Sequence, residues 1–403
     1  MMNIAVVGAG YVGLITGIGF AKLNHQVSII DLNNDLINNL NNNKAPFYEP
    51  DLEENLNDLD LRNKLNFSTS YEESIDKNTD IVFVCVQTPT NIDTGNTDTD
   101  YISSVLIKLK ELESLNFTLC IKSTINSNLV QNISKNIGLN FERIIFNPEF
   151  LREGSAFYDF FNPDRIIIGG SHEEEINKFT KLYESFDCEK IITDPISSQM
   201  IKYLSNTYLA MRLSFVNETY RLVSKFDGNP EEVLYGIGKD KRIGNHYFRP
   251  SPGWGGSCFP KDVKEVINSI QEKHELPIIS EILKSNQLHM DWFADFIIKK
   301  VNDQNFKNIV LIRAPFKENT DDLRDSPSLK IYEKINKSFK NIWILEYEIS
   351  LPESYRVITS KNDLKDDALY VEMFPDISEE RNNLLNSIQN LKNSEVLRMW
   401  ETS

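Results

Sequence analysis

The sequence predicts an α/β protein that consists of an N-terminal sheet domain, a long central helix and a smaller C-terminal α/β domain. Short apolar strands alternate with helical segments in the first half of the chain, and this alternation returns after residue 307. Between them, residues 197–226 place apolar side chains at helical spacing without a proline or glycine. Because 403 residues exceed what one hydrophobic core holds, we expect domains at residues 1–195, 196–295 and 296–403.

The composition excludes several classes of protein. It is 40% hydrophobic, but no apolar run reaches the roughly 18 residues of a membrane span, and the first residues lack the pattern of a signal peptide. We therefore expect a cytoplasmic protein. The net charge of -16 opposes binding to nucleic acid or anionic membranes, so an anionic ligand needs a locally basic pocket. The four cysteines are widely spaced without a C-x-x-C pair, which predicts reduced thiols and no metal site.

The first strand leads directly into a glycine-rich turn. Asn3 to Val7 is apolar, Gly8-Ala9-Gly10-Tyr11-Val12-Gly13 follows, a helix runs to Leu23, and a second strand, Gln26 to Ile30, ends in Asp31. In a Rossmann domain such glycines permit close approach to a pyrophosphate, and the terminal acid binds the ribose hydroxyls. Asp31 would repel a 2′-phosphate, so the pattern predicts NAD rather than NADP.

Polar groups follow three later strands of the first domain. The strand at 80–86 leads to Thr88, the strand at 117–121 leads to Thr124, and the strand at 143–146 leads to residues 147–154, which include Glu149. Each group alone could cap a helix, but three at one sheet edge favour a shared cleft. Other predicted elements are a loop at 45–50, a helix at 101–114, and strands at 165–169 and 190–193.

A second glycine-rich stretch leads to a cysteine. Residues 252–256 carry three glycines in four positions, and Cys258, Lys261 and Asp262 follow. Such a loop can present a nucleophile, although a surface turn with a buried, inert cysteine is the alternative. Lys202 and Asn206 are four residues apart and therefore on one helix face; solvated side chains are the alternative there.

The last part of the chain has the alternation of a nucleotide-binding half without its own glycine fingerprint. The predicted elements are strands at 308–312, 342–346 and 368–373, a polar loop at 313–327, and helices at about 328–338 and 378–392.

Six blocks in order carry a resemblance to a known family. They are the N-terminal fingerprint and residues 147–154, 200–206, 240–244, 253–262 and 316–327. Together they resemble the UDP-glucose/GDP-mannose dehydrogenase family, most closely its UDP-glucose branch, from residue 2 to about 345. The resemblance implies an N-terminal Rossmann domain, a central helix used for homodimerisation, and a Rossmann-like C-terminal domain that holds UDP. The sequence departs from the family's usual pattern at two positions. Leu36 stands where a basic residue is usual, and Trp254 stands where tyrosine is common.

The family's reaction is the four-electron oxidation of the sugar C6 alcohol to a carboxylate with two NAD, giving UDP-glucuronate from UDP-glucose. The resemblance implies that the Cys258 thiolate traps the aldehyde as a thiohemiacetal, which is oxidised to a thioester and hydrolysed. It implies that Lys202 and Asn206 stabilise the oxyanions, that Asp262 and Thr124 hold a water, and that Glu149 is the general base. Which carboxylate takes which proton stays open.

The resemblance also implies two sets of binding residues. Those for NAD are Gly8, Gly10, Tyr11, Val12, Gly13, Asp31, Thr88, Thr124, Glu153, Lys261 and Arg324. Those for the nucleotide sugar are Glu149, Phe150, Leu151, Arg152, Glu153, Lys202, Asn206, Tyr247, Ser251, Gly255, Phe316 and Lys317, with Arg242 contributed by the partner subunit.

Three other hypotheses remain at this point. The same chemistry could act on a UDP-N-acetylhexosamine or GDP-mannose. A two-electron hydroxyacid dehydrogenase could share the N-terminal fingerprint, with Cys258 incidental. A non-enzymatic NAD-sensing protein is the third.

Overall fold

The computed structural model describes residues 1–89, 97–269, 275–374 and 379–399, and it confirms the predicted α/β fold class. The chain divides into two compact units, Met1–Leu204 and Ser205–Ser403, which we call unit 1 and unit 2. The expected division into three domains stays a prediction. Its first boundary, at 195/196, lies at the start of one long helix, and its second, at 295/296, falls inside another.

Unit 1 is built on one eight-stranded sheet with the strand order β3-β2-β1-β4-β5-β6-β7-β8. All neighbouring strands are parallel except β6 and β7. The order reverses between β1 and β4, which is where open α/β sheets form a crevice at the carboxyl ends of their strands. The strands are β1 (Asn3–Val7), β2 (Gln26–Ile30), β3 (Leu65–Ser68), β4 (Ile81–Val84), β5 (Thr118–Ile121), β6 (Ile145–Phe146), β7 (Arg165–Gly169) and β8 (Glu189–Thr193).

Helices cover both faces of this sheet. They are α1 (Tyr11–Lys22), α2 (Asn34–Asn41), α3 (Leu52–Asn57), α4 (Leu59–Arg62), α5 (Tyr71–Ser74), α6 (Asp100–Glu111), α7 (Ser127–Ile137), α8 (Ala156–Phe161) and α9 (Glu173–Leu182), followed by α10 (Pro195–Lys225), in which the boundary between the units lies.

The central strands of unit 1 are apolar on both faces, as a sheet covered on both sides requires. On one face the Phe20 ring lies at the centre of an aromatic cluster, with ring centroids 5.5 Å from Phe83, 5.2 Å from Phe160 and 5.5 Å from Tyr183. The opposite face packs the buried residues of β1 and β4 against α6 and α7. This two-sided core fixes the strand ends that carry the predicted site residues.

Unit 2 contains a smaller, fully parallel sheet with the order β11-β10-β9-β12-β13. Its strands are β9 (Asn308–Ile312), β10 (Ile342–Leu345), β11 (Val357–Ile358), β12 (Ala368–Glu372) and β13 (Glu395–Leu397). Its further helices are α11 (Pro230–Gly238), α12 (Phe259–Asn268), α13 (Pro277–Gln304), α14 (Pro327–Ser338) and α15 (Glu379–Gln389). The core of the unit packs α13 and α14 on this sheet.

Most predicted elements are found within a few residues of their expected bounds. The strands at 26–30, 165–169 and 308–312 and the long helix agree closely. Arg143 lies in a short 3-10 turn before β6 rather than in the strand. The start of the last helix was expected at about residue 378, which lies outside the described residues.

Several elements were not predicted from the sequence. The largest is α13, whose apolar stripe is interrupted by the buried polar side chains of Asn286 and His289. The short strands β3, β11 and β13 were also missed. In the part of the chain that the structure describes, none of the helices combines the length and the apolar character that crossing a membrane requires.

Two glycines of the turn between β1 and α1 differ in how much space surrounds them. A Cβ built on Gly13 would lie 1.9 Å from the carbonyl oxygen of Gly8, whereas one on Gly10 meets no atom of the described residues within 4 Å. Because backbone must move in the first case, we expect Gly13→Ala to lower the free energy of unfolding by about 1–3 kcal/mol or more. Gly10→Ala should change it by less than about 1 kcal/mol. Thermal unfolding of both variants without ligand checks this, and equal melting temperatures would contradict it.

Candidate functional site

The glycine turn of unit 1 is held between two strands. The Gly8 amide donates to the carbonyl of Ile30 at 2.7 Å, and Gly8 has a φ of 101°. A side chain on Gly8 would also press against the backbone of Cys85. Only glycine suits this position, because it combines a left-handed backbone with close approach to a neighbouring strand.

Asp31 closes this turn from the end of β2. Its Oδ2 accepts a hydrogen bond from the Ala9 amide at 2.8 Å, and its Oδ1 accepts one from the Asn33 amide at 3.0 Å. These bonds orient the carboxylate beside the turn. Val12 packs against the apolar core beneath it, and the Tyr11 ring lies 5.3 Å from that of Phe47.

The arrangement fits a dinucleotide. A Cβ on Gly10 would find open space among the described residues, so a phosphate can approach the N-terminus of α1, where amide groups and the helix dipole favour negative charge. The oriented Asp31 carboxylate can accept hydrogen bonds from ribose hydroxyls. The residues present in unit 1 therefore suit NAD.

The polar groups predicted after β4 and β5 contact one another. The Thr88 hydroxyl donates to the backbone carbonyl of Thr124 at 2.8 Å, and the Ser123 hydroxyl donates to the carbonyl of Val86 at 2.6 Å. Thr88 and Ser123 are buried. The predicted meeting of these two strand ends is thus observed in unit 1.

A buried polar cluster that the sequence did not reveal lies beside them. Lys122 donates to Asn147 Oδ1 at 2.9 Å, Tyr183 donates to the same oxygen at 2.8 Å, and Asn147 Nδ2 donates to the Ile167 carbonyl at 2.8 Å. Burial lowers the pKa of the Lys122 ammonium below its ordinary value. The cluster fixes the first residue of the segment that carries Glu149.

Glu149 forms a buried ion pair with Lys202. Lys202 Nζ lies 2.9 Å from Glu149 Oε1, and Glu149 Oε2 accepts the Leu151 amide at 2.7 Å. Both side chains are less than a tenth exposed. Such a pair is held firmly, since removal of one partner would leave an uncompensated buried charge. Two predicted catalytic residues are therefore brought together within unit 1.

Phe150 next to this pair lies between two cations. Its ring centroid is 3.7 Å from the Arg165 guanidinium carbon and 5.2 Å from Lys202 Nζ. Cation–π attraction of this kind orients the ring. Arg165 was not among the predicted site residues because, in the sequence, it only begins a strand.

The predicted nucleophile lies in unit 2 at the beginning of α12. Cys258 is exposed, whereas Cys85 and Cys120 are buried, and burial raises the pKa of the Cys85 thiol to about 12. Cys258 is therefore not a buried residue, and its role as a nucleophile stays a prediction. The positive end of the α12 dipole favours a thiolate at this position.

Asp262 follows Cys258 by one helical turn and is almost fully buried. The Asp262 amide donates to the Cys258 carbonyl at 2.9 Å. Its carboxylate accepts hydrogen bonds from Asn206 Nδ2 at 2.6 Å and from Lys261 Nζ at 2.6 Å. Unit 2 thus gathers four predicted site residues, Asn206, Cys258, Lys261 and Asp262, into one neighbourhood.

The glycine loop packs directly on the polar loop after β9. The Gly256 amide donates to the Arg324 carbonyl at 2.9 Å, and a Cβ on Gly256 would lie 2.8 Å from the Phe316 ring. A Cβ on Gly255 would lie 2.1 Å from the Asp325 carbonyl oxygen. These glycines allow two backbone segments to touch, which brings predicted sugar-binding residues of both loops together.

Side-chain hydrogen bonds hold the segment before the glycine loop and Trp254 within that loop. The Ser251 amide donates to Asn217 Oδ1 at 2.9 Å, and the Ser251 hydroxyl donates to the Gly253 carbonyl at 3.0 Å. Trp254 is buried, with its Nε1 donating to Ser214 Oγ at 3.0 Å. Tyr247 has a φ of 54°, and its ring lies 6.3 Å from that of Phe259.

The remaining predicted cations lie at the surface or beside rings. Three arginines each bind a nearby aspartate: the shortest distances are 2.6 Å for Arg152 and Asp159, 2.6 Å for Arg242 and Asp240, and 2.8 Å for Arg324 and Asp322. Lys317 Nζ lies 5.4 Å from the Phe316 ring centroid.

Two further predicted sugar-site residues lie in unit 1. Leu151 packs against the core of that unit. The charge of Glu153 raises the pKa of Tyr11, although burial and Glu49 have larger effects on it.

Models of known protein families match most of the chain. Residues 2–187 match the NAD-binding domain of the UDP-glucose/GDP-mannose dehydrogenase family, and residues 196–288 match its central domain.

Curated relatives and a solved structure agree. UDP-glucose 6-dehydrogenase YwqF of Bacillus subtilis (strain 168) is 34% identical over 343 residues, which cover 83% of this chain and 77% of that protein. UDP-glucose 6-dehydrogenase of Rickettsia felis is 34% identical over 370 residues, covering 90% of this chain and 82% of that protein. The structure of a UDP-glucose dehydrogenase from Pyrobaculum islandicum has a TM-score of 0.81 and 28% identity, and covers 93% of this chain and 90% of that one. With two domain models matched in order and this similarity extending over most of its length, the chain belongs to the UDP-glucose/GDP-mannose dehydrogenase family.

Proposed function

We propose that this protein is an NAD-dependent dehydrogenase that oxidises the C6 alcohol of UDP-glucose to the carboxylate of UDP-glucuronate. The observation that carries the proposal is the exposed Cys258 thiol one helical turn from the buried Asp262, whose carboxylate is held by Asn206 and Lys261. An enzyme that only transfers one hydride from an alcohol to NAD does not need a thiol. A thiol is useful when an aldehyde must be retained for a second oxidation.

Each residue has a role in this scheme. NAD, held by the glycine turn and Asp31, would supply the hydride acceptor for two successive oxidations at C6. Between them, the Cys258 thiolate adds to the aldehyde carbon and forms a thiohemiacetal; after the second oxidation the sulfur is joined to C6 as a thioester. Water then adds to the thioester carbon, the carbon–sulfur bond breaks, and the carboxylate and the thiol are released.

Two donors stabilise the negative oxygens that form at C6. The Asn206 amide has two N–H groups, and with one donated to Asp262 the other can donate to the oxygen. The Lys202 ammonium adds positive charge. Glu149 accepts a proton from the attacking water, and Asp262 and Thr124 hold that water.

The binding residues follow the same scheme. For the cofactor we propose the glycine turn, Asp31, Thr88, Thr124 and Glu153, together with Lys261 and Arg324. For the nucleotide sugar we propose residues 149–153 from unit 1 and, from unit 2, Tyr247, Ser251, Gly255, Phe316 and Lys317. The Phe316 ring and the Lys317 ammonium supply a stacking surface and a positive charge, which suit a uracil base and a diphosphate.

We also propose a homodimer formed through α10, with Arg242 of the partner subunit completing the sugar site. Leu204, Tyr208, Phe215 and Leu222 are 44%, 54%, 54% and 59% exposed. Their spacing of four and seven residues places them on one helix face, and such an apolar stripe is typical of an interface. We place the protein in the cytoplasm, a reducing compartment that suits four cysteines present as thiols.

Product counting tests the proposed activity. With UDP-glucose and excess NAD, we expect two NADH and one UDP-glucuronate per sugar, measured by reduced-nicotinamide absorbance and mass spectrometry. One NADH per substrate would indicate a two-electron dehydrogenase, and none would indicate a non-catalytic NAD-binding protein. Activity on a UDP-N-acetylhexosamine or GDP-mannose in place of UDP-glucose would change the substrate but not the chemistry.

The thiol's role predicts the behaviour of Cys258→Ser. A hydroxyl cannot form the thioester, so UDP-glucuronate formation should fall by about 10³-fold or more, while NAD and UDP-glucose still bind in calorimetry. Cys188→Ser removes a half-buried thiol that packs on the core of unit 1 and is not among the proposed site residues, so turnover should stay within about twofold of wild type. Normal uronate formation by Cys258→Ser would refute the role.

The apolar stripe on α10 predicts the behaviour of Phe215→Glu. A charge in the centre of a desolvated interface is costly, so light scattering after size-exclusion chromatography should show the mass of one chain, and the KM for UDP-glucose should rise because Arg242 of the partner subunit is lost. Leu59→Glu, at an 80% exposed position in α4, is the matched control and should remain dimeric. An unchanged dimer in Phe215→Glu would show that α10 is not the interface.

A further inference from the structure

A buried carboxylate outside the predicted site connects two of its segments. Glu49 lies in the loop before α3, where the sequence indicated only irregular structure, and it is 5% exposed. Its Oε2 accepts hydrogen bonds from the Tyr11 hydroxyl at 2.8 Å and from the Gly154 amide at 2.7 Å. Its Oε1 accepts one from the Ala156 amide at 2.7 Å. All four residues belong to unit 1.

These donors compensate the buried charge. Hydrogen bonds to an ionised acceptor are shorter and about twice as strong as neutral ones, and a buried carboxylate without them would be strongly unfavourable. Burial and the negative charge of Glu49 raise the pKa of Tyr11, so its hydroxyl remains a donor at neutral pH. The three bonds therefore hold their donors at fixed positions.

The donors come from segments with different predicted roles. Tyr11 is the first residue of α1 and belongs to the glycine turn proposed for NAD. Gly154 and Ala156 closely follow residues 149–153, which include Glu149 and Phe150. Through one side chain, the start of α1 and the segment that carries the proposed base are joined.

We propose that Glu49 is a positioning residue, which holds the Glu149 segment in register with the glycine turn. This inference rests on the proposed function, because positioning has a catalytic effect only if Glu149 acts in the reaction. A misplacement of about 1 Å in such a segment can reduce turnover on the order of 10²-fold. Without Glu49 the Lys202–Glu149 pair would remain, but the chain after Leu151 would lose two amide contacts.

Glu49→Gln tests the inference. The amide oxygen of glutamine still accepts hydrogen bonds, but its NH₂ faces an amide donor, so at least one contact to Gly154 or Ala156 is lost. We expect kcat to fall about 10- to 100-fold. The Kd for NAD should change less than about threefold, because the glycine turn keeps its own bonds, such as that from Gly8 to Ile30. Hydrogen exchange of the Gly154 or the Ala156 amide, whichever loses its acceptor, should become at least about tenfold faster.

Glu175→Gln is the matched control. Glu175 is also buried in unit 1, where it accepts hydrogen bonds from Arg143 and Thr118, and it lies in α9, outside the proposed site. We expect it to lower the melting temperature while kcat and the exchange of Gly154 and Ala156 stay at wild-type values. Tyr11→Phe, which removes one donor and leaves both amides, serves as the second variant if Glu49→Gln does not fold; it should lower kcat by a smaller factor.

The outcomes are distinguishable. Unchanged kcat in Glu49→Gln, unchanged amide exchange, or an equal loss of kcat in Glu175→Gln would each overturn the positioning role. If wild-type protein forms no NADH from any nucleotide sugar, the proposed function fails, and with it the catalytic part of the inference. The exchange rates then still decide whether Glu49 holds the segment in place.

Discussion

Buried negative charge is the constraint on which both units depend. Glu49, Glu149 and Asp262 are each less than a tenth exposed, and the protein as a whole is strongly acidic, with a net charge of -16. A carboxylate removed from water must receive donors where it lies. Glu149 receives Lys202 and an amide, Asp262 receives Asn206 and Lys261, and Glu49 receives a hydroxyl and two amides. Within each unit, the positions of the proposed site residues around these carboxylates therefore follow largely from satisfying them.

This constraint explains which parts of the candidate site the sequence could predict. The glycine turn and Asp31 are recognisable because every residue of the pattern lies within one strand–helix–strand unit. The partners of the buried carboxylates lie far away in sequence: Lys202 is 53 residues from Glu149, Asn206 is 56 from Asp262, and Gly154 is 105 from Glu49. No local spacing encodes such pairs. Local spacing drew attention to Lys202, Asn206 and Asp262, but only the family resemblance gave them roles. Glu49 was missed because a single acid in a loop resembles any solvated side chain.

The same distinction applies to the fold. Strands in the middle of a sheet, such as β4 and β9, are apolar on both faces and were predicted, since their burial is visible in the residues themselves. The strands β3, β11 and β13 lie at the sheet edges and contain four, two and three residues. They are strands because a neighbouring strand pairs with them, and their own composition does not indicate a strand. In α13, the buried Asn286 binds the Trp254 backbone through both amide atoms. A polar residue that serves the glycine loop thus obscured the helical pattern.

Three arginines among the proposed ligand-binding residues lie at the surface beside aspartates. Arg152, Arg242 and Arg324 each form a salt bridge with an aspartate two to seven residues away, so their charge is partly neutralised. Their side chains are 56%, 89% and 67% exposed, and exposed ion pairs contribute only about 0–1 kcal/mol. A diphosphate carries more charge than a carboxylate and can bind the same planar donors in two-point contacts. In the proposed function, ion pairs this weak oppose the binding of a diphosphate only slightly, which would reconcile a negative total charge with a negatively charged nucleotide as ligand.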